Sequence, residues 1–252
     1  MTDELELIKK RLLELAARAD VSGIFTFSDF LGLGEQSAFA DIKHSVSGAK
    51  YTVFGGCEGA ERVMIRFGDA DELGYEIPFP IATVKIEPVS KKYAERLSHR
   101  DYLGSIMNLG IERSVIGDIV IREELCYVFV KEDIAEYLLK ELTRVRHTDV
   151  KLCLATDALT GDLYRTEPRR IQLASERLDA AVAKVFGLSR EEAQRLFVKG
   201  LVFASGKAIM STSYTPKPDE IISVRGHGRF VYKGFESNTR RGKLNILVDV
   251  YV

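Results

Sequence analysis

The sequence has little cysteine and no long run of apolar residues. Its 252 residues include Cys57, Cys126 and Cys153, whose odd number and wide spacing argue against a disulfide framework or a zinc cluster. We interpret them as buried thiols and expect neither a metal nor a cofactor. No stretch approaches the roughly 18 unbroken apolar residues of a membrane-spanning helix. Since the start, MTDELELIKKRL, is too charged for a secretory signal peptide, we expect a cytoplasmic protein without a membrane partner.

The common nucleotide-binding and kinase motifs are also missing. Neither G-x-G-x-x-G after a strand nor G-x-x-x-x-G-K-[ST] occurs, so Gly55-Gly56 predicts a turn between two strands in YTVFGGCEGAERVMIRFGD. The triplet His99-Arg100-Asp101 lacks the asparagine of a kinase catalytic loop, because position 106 is Ile. His99 and Asp101 remain candidates for an acid–base pair, but their position at a helix start favours capping by Asp101. No small-molecule substrate is expected.

Charge is distributed unevenly along the chain, although the formal net charge is only -1. Residues 1–168 carry 21 Lys and Arg against 29 Asp and Glu, whereas residues 169–252 carry 15 against 8. This asymmetry indicates a basic module on an acidic body, and a polyanion is the usual partner of such a module. The alternative is a solvated basic surface without a partner.

The spacing of apolar residues predicts an α+β chain of three small domains. Residues 1–76 form an N-terminal α/β domain that begins with an amphipathic helix, and GYEIPFP marks its end. Residues 77–165 follow the order strand, helix, strand, strand, helix, strand of a ferredoxin-like, RRM-like domain. Tyr127 and Phe129 share one face of its third strand, where they either stack on RNA or belong to the core. Residues 166–252 form the third domain.

The third domain is predicted to start with two short helices joined by a tight turn. Ser175 is the expected cap of the first helix, and Gly187 suits its left-handed exit. Ser189 with Glu192 three residues later forms a capping box that starts the second helix, which Gly200 ends. Short strands and a hairpin follow.

Most charged residues around this predicted core are basic. Arg190 and Arg195 lie on the second helix, where backbone N–H groups and guanidinium groups together suit a phosphate backbone. In RFVYKGFESNTRRGKL the aromatic residues either stack on RNA or close the domain core, whereas the basic turn favours RNA contact. The candidate RNA-binding residues are Arg177, Asp179, Ser189, Arg190, Gln194, Arg195, Lys199, Gly200, Lys207, Arg225, Arg229, Arg240, Arg241 and Lys243.

The segment RLDAAVAKVFGLSREEAQRLFVKGLVFASGKAI resembles the alpha-L RNA-binding motif named for ribosomal small-subunit protein four. In that motif Arg-Leu-Asp opens the first helix, Ser-Arg opens the second and Lys/Arg-Gly ends it. The matching positions are Arg177-Leu178-Asp179, Ser189-Arg190, Gln194 and Lys199-Gly200. The usual Asn-Gly-Lys of the hairpin is Ser205-Gly206-Lys207 here, so the resemblance implies the turn and the lysine but no asparagine contact.

The resemblance extends beyond this motif. FGGCEGAERVMIRF, LSHRDYLGSIMNLGIERSVIGDIVI and GRFVYKGFESNTRRGKLNILVDVYV are similar to the bacterial YlmH family, over nearly the whole chain. The resemblance implies an N-terminal domain, a ferredoxin-like RNA-binding domain and a C-terminal alpha-L domain. It also implies binding of rRNA and tRNA on large ribosomal subunits with stalled peptidyl-tRNA, in bacterial ribosome quality control.

Two other classes of function stay open. Alpha-L motifs are often fused to pseudouridine synthases, rRNA methyltransferases and tyrosyl-tRNA synthetases, so an RNA-modifying enzyme is one alternative. We find none of their catalytic signatures in the sequence and therefore expect no enzymatic activity. The other alternative is a protein-interaction adaptor, in which the acidic N-terminal part docks a partner and the basic domain serves as an RNA anchor.

Overall fold

The computed structural model describes residues 2–46, 48–90, 95–155, 164–239 and 242–251. It shows a mixed α+β protein, as the sequence predicts. The helices are α1 (Thr2–Ser22), α2 (Leu33–Ile42), α3 (Ala70–Leu73), α4 (His99–Met107), α5 (Glu132–Glu141), α6 (Leu178–Phe186) and α7 (Arg190–Val198). The strands are β1 (Thr26–Phe27), β2 (Tyr51–Phe54), β3 (Met64–Phe67), β4 (Ile81–Pro88), β5 (Ile116–Arg122), β6 (Leu125–Lys131), β7 (Arg144–Val145), β8 (Thr148–Leu154), β9 (Thr166–Leu173), β10 (Val202–Ala204), β11 (Lys207–Ala208), β12 (Glu220–Val224), β13 (Gly228–Asn238) and β14 (Leu244–Tyr251). Within the described ranges, no helix combines the length and the apolar character needed to cross a membrane.

The chain divides into two compact units. The first consists of Met1–Glu35 with Asp41–Leu163, and the second of Gln36–Ala40 with Tyr164–Val252. The first unit holds a three-stranded sheet in the order β1-β3-β2 and a five-stranded sheet in the order β5-β6-β4-β8-β7. The second holds a six-stranded antiparallel sheet in the order β11-β10-β12-β13-β14-β9. The boundary at residue 76 falls inside the first unit, and the division into three domains stays a prediction.

The five-stranded sheet is built from two interlocked crossovers. Helix α4 connects β4 to β5, and in the sheet the antiparallel strand β6 lies between these two strands. Helix α5 lies between β6 and β8 in the chain, and in the sheet the antiparallel strand β4 lies between those two. Tyr102 and Ile106 of α4 and Leu138 of α5 pack on one face of the sheet. At the start of α4, the N–H and hydroxyl of Ser98 donate to the Asp101 carboxylate at 2.8 and 2.7 Å. Asp101 is therefore a helix-capping residue.

The hairpin of β2 and β3 has a longer loop than the Gly-Gly turn that the sequence predicts. Tyr51 lies opposite Phe67 and Phe54 opposite Met64, so the loop spans residues 55–63. This loop is held by β5 of the other sheet. The carboxylate of Asp118 accepts the N–H groups of Glu61 at 2.6 Å and Arg62 at 3.0 Å. The extra residues of the loop thus serve to join the two sheets of the first unit.

The side chain of Arg62 completes this junction. Its guanidinium donates to the carbonyl oxygens of Phe30, Arg113 and Ile116 at 2.8, 3.1 and 2.9 Å. Burial lowers the pKa of Arg62, and the nearby carboxylates of Glu35 and Asp118 oppose that shift. Because the Arg62 guanidinium donates to carbonyl groups from separate segments, it connects the two sheets of the first unit.

Gly56 brings the same loop against the face of the five-stranded sheet that α4 and α5 leave open. Its φ is +95°, and a Cβ atom there would overlap the ring of Phe129. Phe129 has 0% solvent exposure, whereas Tyr127 is half-buried. Of the two interpretations of this aromatic pair, Phe129 therefore fits the core and is not available for stacking.

The core of the second unit lies between its sheet and the helices α6 and α7. Leu178 and Phe197 of the helices pack with Phe230 and Tyr232 of β13, all almost fully buried. The first two aromatic residues of the C-terminal segment thus close the core, and only Phe235, half exposed, remains at the surface. The Ser205-Gly206 hairpin turn is confirmed, since Ala204 pairs with Lys207.

Gly56→Ala is expected to lower the free energy of unfolding by about 2 to 5 kcal/mol. A left-handed backbone costs an L-residue about 1–2 kcal/mol, and overpacking against Phe129 adds about 1–3 kcal/mol. Gly74→Ala is the matched control, because Gly74 has φ +75° and open space around its Cβ position. It should lose only the backbone contribution. Urea unfolding measures both, and equal losses would contradict the tight packing of Gly56.

Candidate nucleic-acid interface

Helix α6 begins at Leu178, and Ser175 does not cap it. Arg177 is the N-cap residue, and the N–H of Leu178 donates to the carbonyl oxygen of Tyr214 at 2.8 Å. The prediction of capping by Ser175 is therefore wrong. The physical reason is that a distant loop supplies an acceptor to the first turn, which local sequence patterns do not reveal.

Asp179, in the first turn of α6, is the centre of a buried polar cluster. Its carboxylate has 0% exposure and accepts two hydrogen bonds from the Arg177 guanidinium, at 3.0 and 3.1 Å. The amide of Gln194, on α7, donates to it at 3.0 Å. The Nε atom of Arg190, at the start of α7, lies 3.5 Å away. One carboxylate thus connects the starts of both helices.

This cluster separates the candidate residues by role. Asp179 is fully buried, and the half-buried Gln194 donates to it, so both position the arginines. Arg177 also donates to the Thr212 hydroxyl at 3.2 Å and is one third exposed. Arg190 is 62% exposed, and among the described residues its ion pair is the longer contact with Asp179, so its guanidinium is accessible to a ligand.

Helix α7 starts and ends as the sequence predicts. The Ser189 hydroxyl accepts the N–H of Glu192 at 3.2 Å, and the Glu192 carboxylate accepts the N–H of Ser189 at 2.8 Å. Gly200, with φ +63°, follows its last turn. Arg195 pairs with Glu191 at 2.5 Å on the exposed surface, a type of pair that adds little stability in water. Arg195 can therefore exchange this partner for a phosphate at little cost.

Two basic residues, Lys199 and Arg225, lie near the other end of α7. Lys199 is exposed at the helix C-terminus. Arg225, after β12, donates its backbone N–H to the carbonyl oxygen of Leu201 at 2.9 Å, and its guanidinium lies 5.2 Å from the centre of the Phe203 ring. The backbone pairing thus brings Arg225 close to the end of the helix, where the aromatic ring supports its side chain.

Arg229, on β13, is held by two aromatic rings. Its guanidinium carbon lies 4.5 Å from the centre of the Tyr164 ring and 4.4 Å from that of Tyr251. Such contacts orient a cation without neutralising it. The other candidates of this region are Lys207 and Lys243, which are exposed, and Arg240 and Arg241, which lie outside the described residues.

The sequence did not predict a groove that lies beside Arg190. It has a volume of about 380 Å³, and its lining includes Lys184 and the small residues Ala180, Ala183 and Gly187. Small side chains let a sugar–phosphate backbone come close to the helices. The positive charges of Lys184 and Arg190 would attract its phosphate groups. Lys184 lies seven residues after the N-cap arginine, on the same helix face, and that spacing is the signal that could have identified it.

The cysteines do not share one environment. Cys126 is buried, and burial raises the pKa of its thiol. Cys153 is exposed, so the prediction of a buried thiol is wrong there, because side chains alternate along β8 and Leu152 takes the core side. In the part of the chain that the structure describes, no group of three or more His, Cys, Asp or Glu residues could hold a metal ion.

Comparison with known proteins gives matches to the family that the sequence resembles. The family model described as "Putative RNA-binding domain in YlmH" matches residues 76–157. The curated "Ribosome-associated protein quality control protein P2" of Bacillus subtilis (strain 168) is 29% identical over 169 residues. The chain is thus similar to YlmH proteins in these regions. The second alignment covers 66% of this chain and 66% of the relative, just under two thirds of each.

A solved bacterial structure is also similar in part. "Cell division protein ylmH from Streptococcus pneumoniae" matches 60% of this chain and 90% of its own, with a TM-score of 0.48 and 20% identity. The span of this chain that matches the family model comprises β4 to β8 with α4 and α5. The Asp179 cluster lies outside that span, in the second unit.

Asp179→Asn is expected to lower the free energy of unfolding by about 2 kcal/mol at pH 7, because charged hydrogen bonds are lost in a buried place. Burial alone would raise the pKa of Asp179, but the hydrogen bonds from Arg177 and Gln194 hold it below its usual value. The stabilisation is therefore present above about pH 4 and is lost as the pH falls through the folded-state pKa. Urea unfolding between pH 7 and pH 2 should show the gap between protein and variant closing.

The matched control is Asp219→Asn, which removes an exposed carboxylate paired with Lys233. It should change stability by less than about 1 kcal/mol at pH 7. A gap for Asp179→Asn that does not depend on pH would contradict a charged Asp179 in the folded protein.

Proposed function

We propose that this protein binds structured RNA without acting on it as an enzyme, and that it does so through α6 and α7. The observation that carries the proposal is the Asp179 cluster, which holds Arg177 and Arg190 at the starts of two adjoining helices. Backbone N–H groups at a helix start and guanidinium groups both favour phosphate. The groove beside Arg190 gives room for the backbone that carries such phosphates.

Charge and shape together favour folded RNA as the ligand. Residues 169–252 carry 15 Lys and Arg against 8 Asp and Glu, so the second unit attracts polyanions. Phosphate contacts position a protein on a nucleic acid but carry no sequence information, and RNA helices are recognised largely by shape. Two rigidly connected helix starts present a fixed pattern of charge, which suits a ligand of fixed shape.

The ribosomal part of the proposal has support from the comparisons. The Bacillus relative is named as a ribosome-associated quality control protein, and the matched family is described as RNA-binding. We infer that this protein binds rRNA and tRNA on the large ribosomal subunit when peptidyl-tRNA is stalled there. On this proposal the alpha-L region is the main contact, the three predicted domains act together, and the protein works in the cytoplasm.

Arg190→Gln combined with Lys199→Glu is expected to abolish binding to purified large ribosomal subunits and to leave the fold intact. Gln is chosen at 190 because a glutamate would stand 3.5 Å from the charge of Asp179. If about five cations meet phosphates, the log-log slope of affinity against salt should be about -3.5 to -4.5 for the unchanged protein. Sedimentation through sucrose gradients at increasing NaCl concentrations measures both quantities.

Lys217→Glu is the matched control, since it reverses an exposed charge of the second unit outside the candidate set. It should bind as the unchanged protein does. Unchanged protein that stays at the top of the gradient at every salt concentration would contradict the proposal and favour an adaptor or an enzyme acting briefly on free RNA. Normal sedimentation of the Arg190/Lys199 variant would show that α6 and α7 are not the interface.

A further inference from the structure

In the five-stranded sheet, the surface that many domains of this topology use for RNA is covered in part. Such domains stack bases on aromatic residues of the central strands. Here Phe129, on β6, is buried under the loop that contains Gly56. On neighbouring β5, a Cβ atom at Gly117 would lie 2.7 Å from the ring of Phe30. An RNA contact within residues 76–157 therefore cannot use Phe129 for stacking.

The accessible remainder of that sheet face is poorly suited to phosphate. Lys85 and Lys151 both pair with Glu87, at 3.7 and 3.3 Å. The carboxylate between them reduces the positive potential of the two lysines. A polyanion would have to displace or tolerate Glu87 to bind there.

A cleft of about 600 Å³ lies at the edge of the same domain, where α4 meets the segment around β7. Its lining includes Arg100, Arg144 and Arg146. We call it the arginine cleft. Asn108 adds a side-chain amide to the lining. Gly104 leaves the surface of α4 bare, since nothing lies within 4 Å of its Cβ position. The cleft thus combines cations, a polar group and space for close approach.

The arginines of the cleft keep donors for a ligand. Nη1 of Arg146 lies 3.6 Å from Asp101 and its Nε 3.9 Å from Glu95, both longer than a normal N–H···O bond. Nε of Arg144 lies 3.4 Å from Asp149. Both side chains are more than half exposed. Since a guanidinium has five N–H donors, these ion pairs orient the arginines and leave most donors for phosphate oxygens.

Two carboxylates, Asp101 and Glu141, also line the cleft. Asp101 accepts the N–H and hydroxyl of Ser98 at the start of α4, and Glu141 lies 4.0 Å from Lys140. The lining thus carries three arginines against two carboxylates.

The backbone at Arg146 is a further sign that its side chain has a use. Val145 pairs with Thr148, so Arg146 and His147 form a two-residue turn between β7 and β8. Arg146 has φ +53°, a conformation that such turns normally give to Asn, Asp or Gly. An arginine there carries backbone strain that a glycine would avoid.

We propose that the arginine cleft is a second RNA-binding site, which takes the sugar–phosphate backbone of a folded RNA. Arg100, Arg144 and Arg146 contact phosphate oxygens, while Gly104 admits the backbone to the surface of α4. The identity of the RNA rests on the proposed function, since both sites are taken to bind ribosomal RNA. The cleft itself belongs to the first unit, whereas α6 and α7 belong to the second.

The test uses the full-length protein and in vitro transcribed bacterial 23S ribosomal RNA, with filter binding over a series of NaCl concentrations. Arg100→Ala combined with Arg146→Gly removes two cations, and glycine suits φ +53° without strain. The variant should bind at least tenfold more weakly at low salt. Its log-log salt slope should be less steep by about 1.4 to 1.8, while its thermal unfolding midpoint is unchanged or higher.

A second variant tests the cleft without changing charge. Gly104→Leu places a side chain into the open space of the cleft and should weaken binding while the protein stays folded. Lys85→Ala combined with Lys151→Ala is the matched control, because it removes two cations from the sheet face. This control should bind within twofold of the unchanged protein. Loss in the control equal to that of the arginine variant, or normal binding by both cleft variants, overturns the proposal.

The Arg190/Lys199 variant in the same titration distinguishes the two proposals. If it loses binding while the cleft variants bind normally, the α6–α7 interface stands and the second site is wrong. If all variants weaken binding except the lysine control, both sites are supported. If the unchanged protein fails to bind the RNA, the proposed function and the second site are both wrong.

Discussion

Asp179 accepts hydrogen bonds from Arg177 and Gln194 in a place without solvent, and the geometry of the basic helices depends on it. An ionised carboxylate that lost these partners would be strongly unfavourable there. The position of α7 against α6 is therefore set by a directional interaction as well as by apolar packing. The same contacts hold Arg177 and draw Arg190 toward the first turn of α6. The Asp179 carboxylate thus contributes both to the packing of α6 with α7 and to the positions of the two arginines.

A second carboxylate has a comparable role in the first unit. Asp118 accepts two backbone N–H groups from the loop after β2, and Arg62 satisfies three carbonyl groups nearby. Together they hold Gly56 against Phe129. The junction removes an aromatic side chain from the sheet surface, and on our proposal RNA contacts the edge of this domain instead. The topology of a sheet therefore does not by itself identify its binding surface.

The net charge of a chain segment does not show where basic residues lie together on the surface. Residues 1–168 carry 29 acidic against 21 basic residues, yet Arg100, Arg144 and Arg146 line one cleft within them. Screening limits the reach of a surface charge to about 8–10 Å at physiological salt. A phosphate group therefore responds to the arginines near it and little to the sum over a domain.

The sequence by itself determined the elements whose causes are local. The capping box of Ser189, the glycine that ends α7 and the alternation of the strands depend on residues within one turn or one strand. Composition also located the basic second unit. Only the tertiary structure decided that a distant loop replaces Ser175 at the start of α6, that Asp179 is buried and that Phe129 is covered. Each of these outcomes depends on which distant group satisfies a donor or covers a face, and no local pattern carries that information.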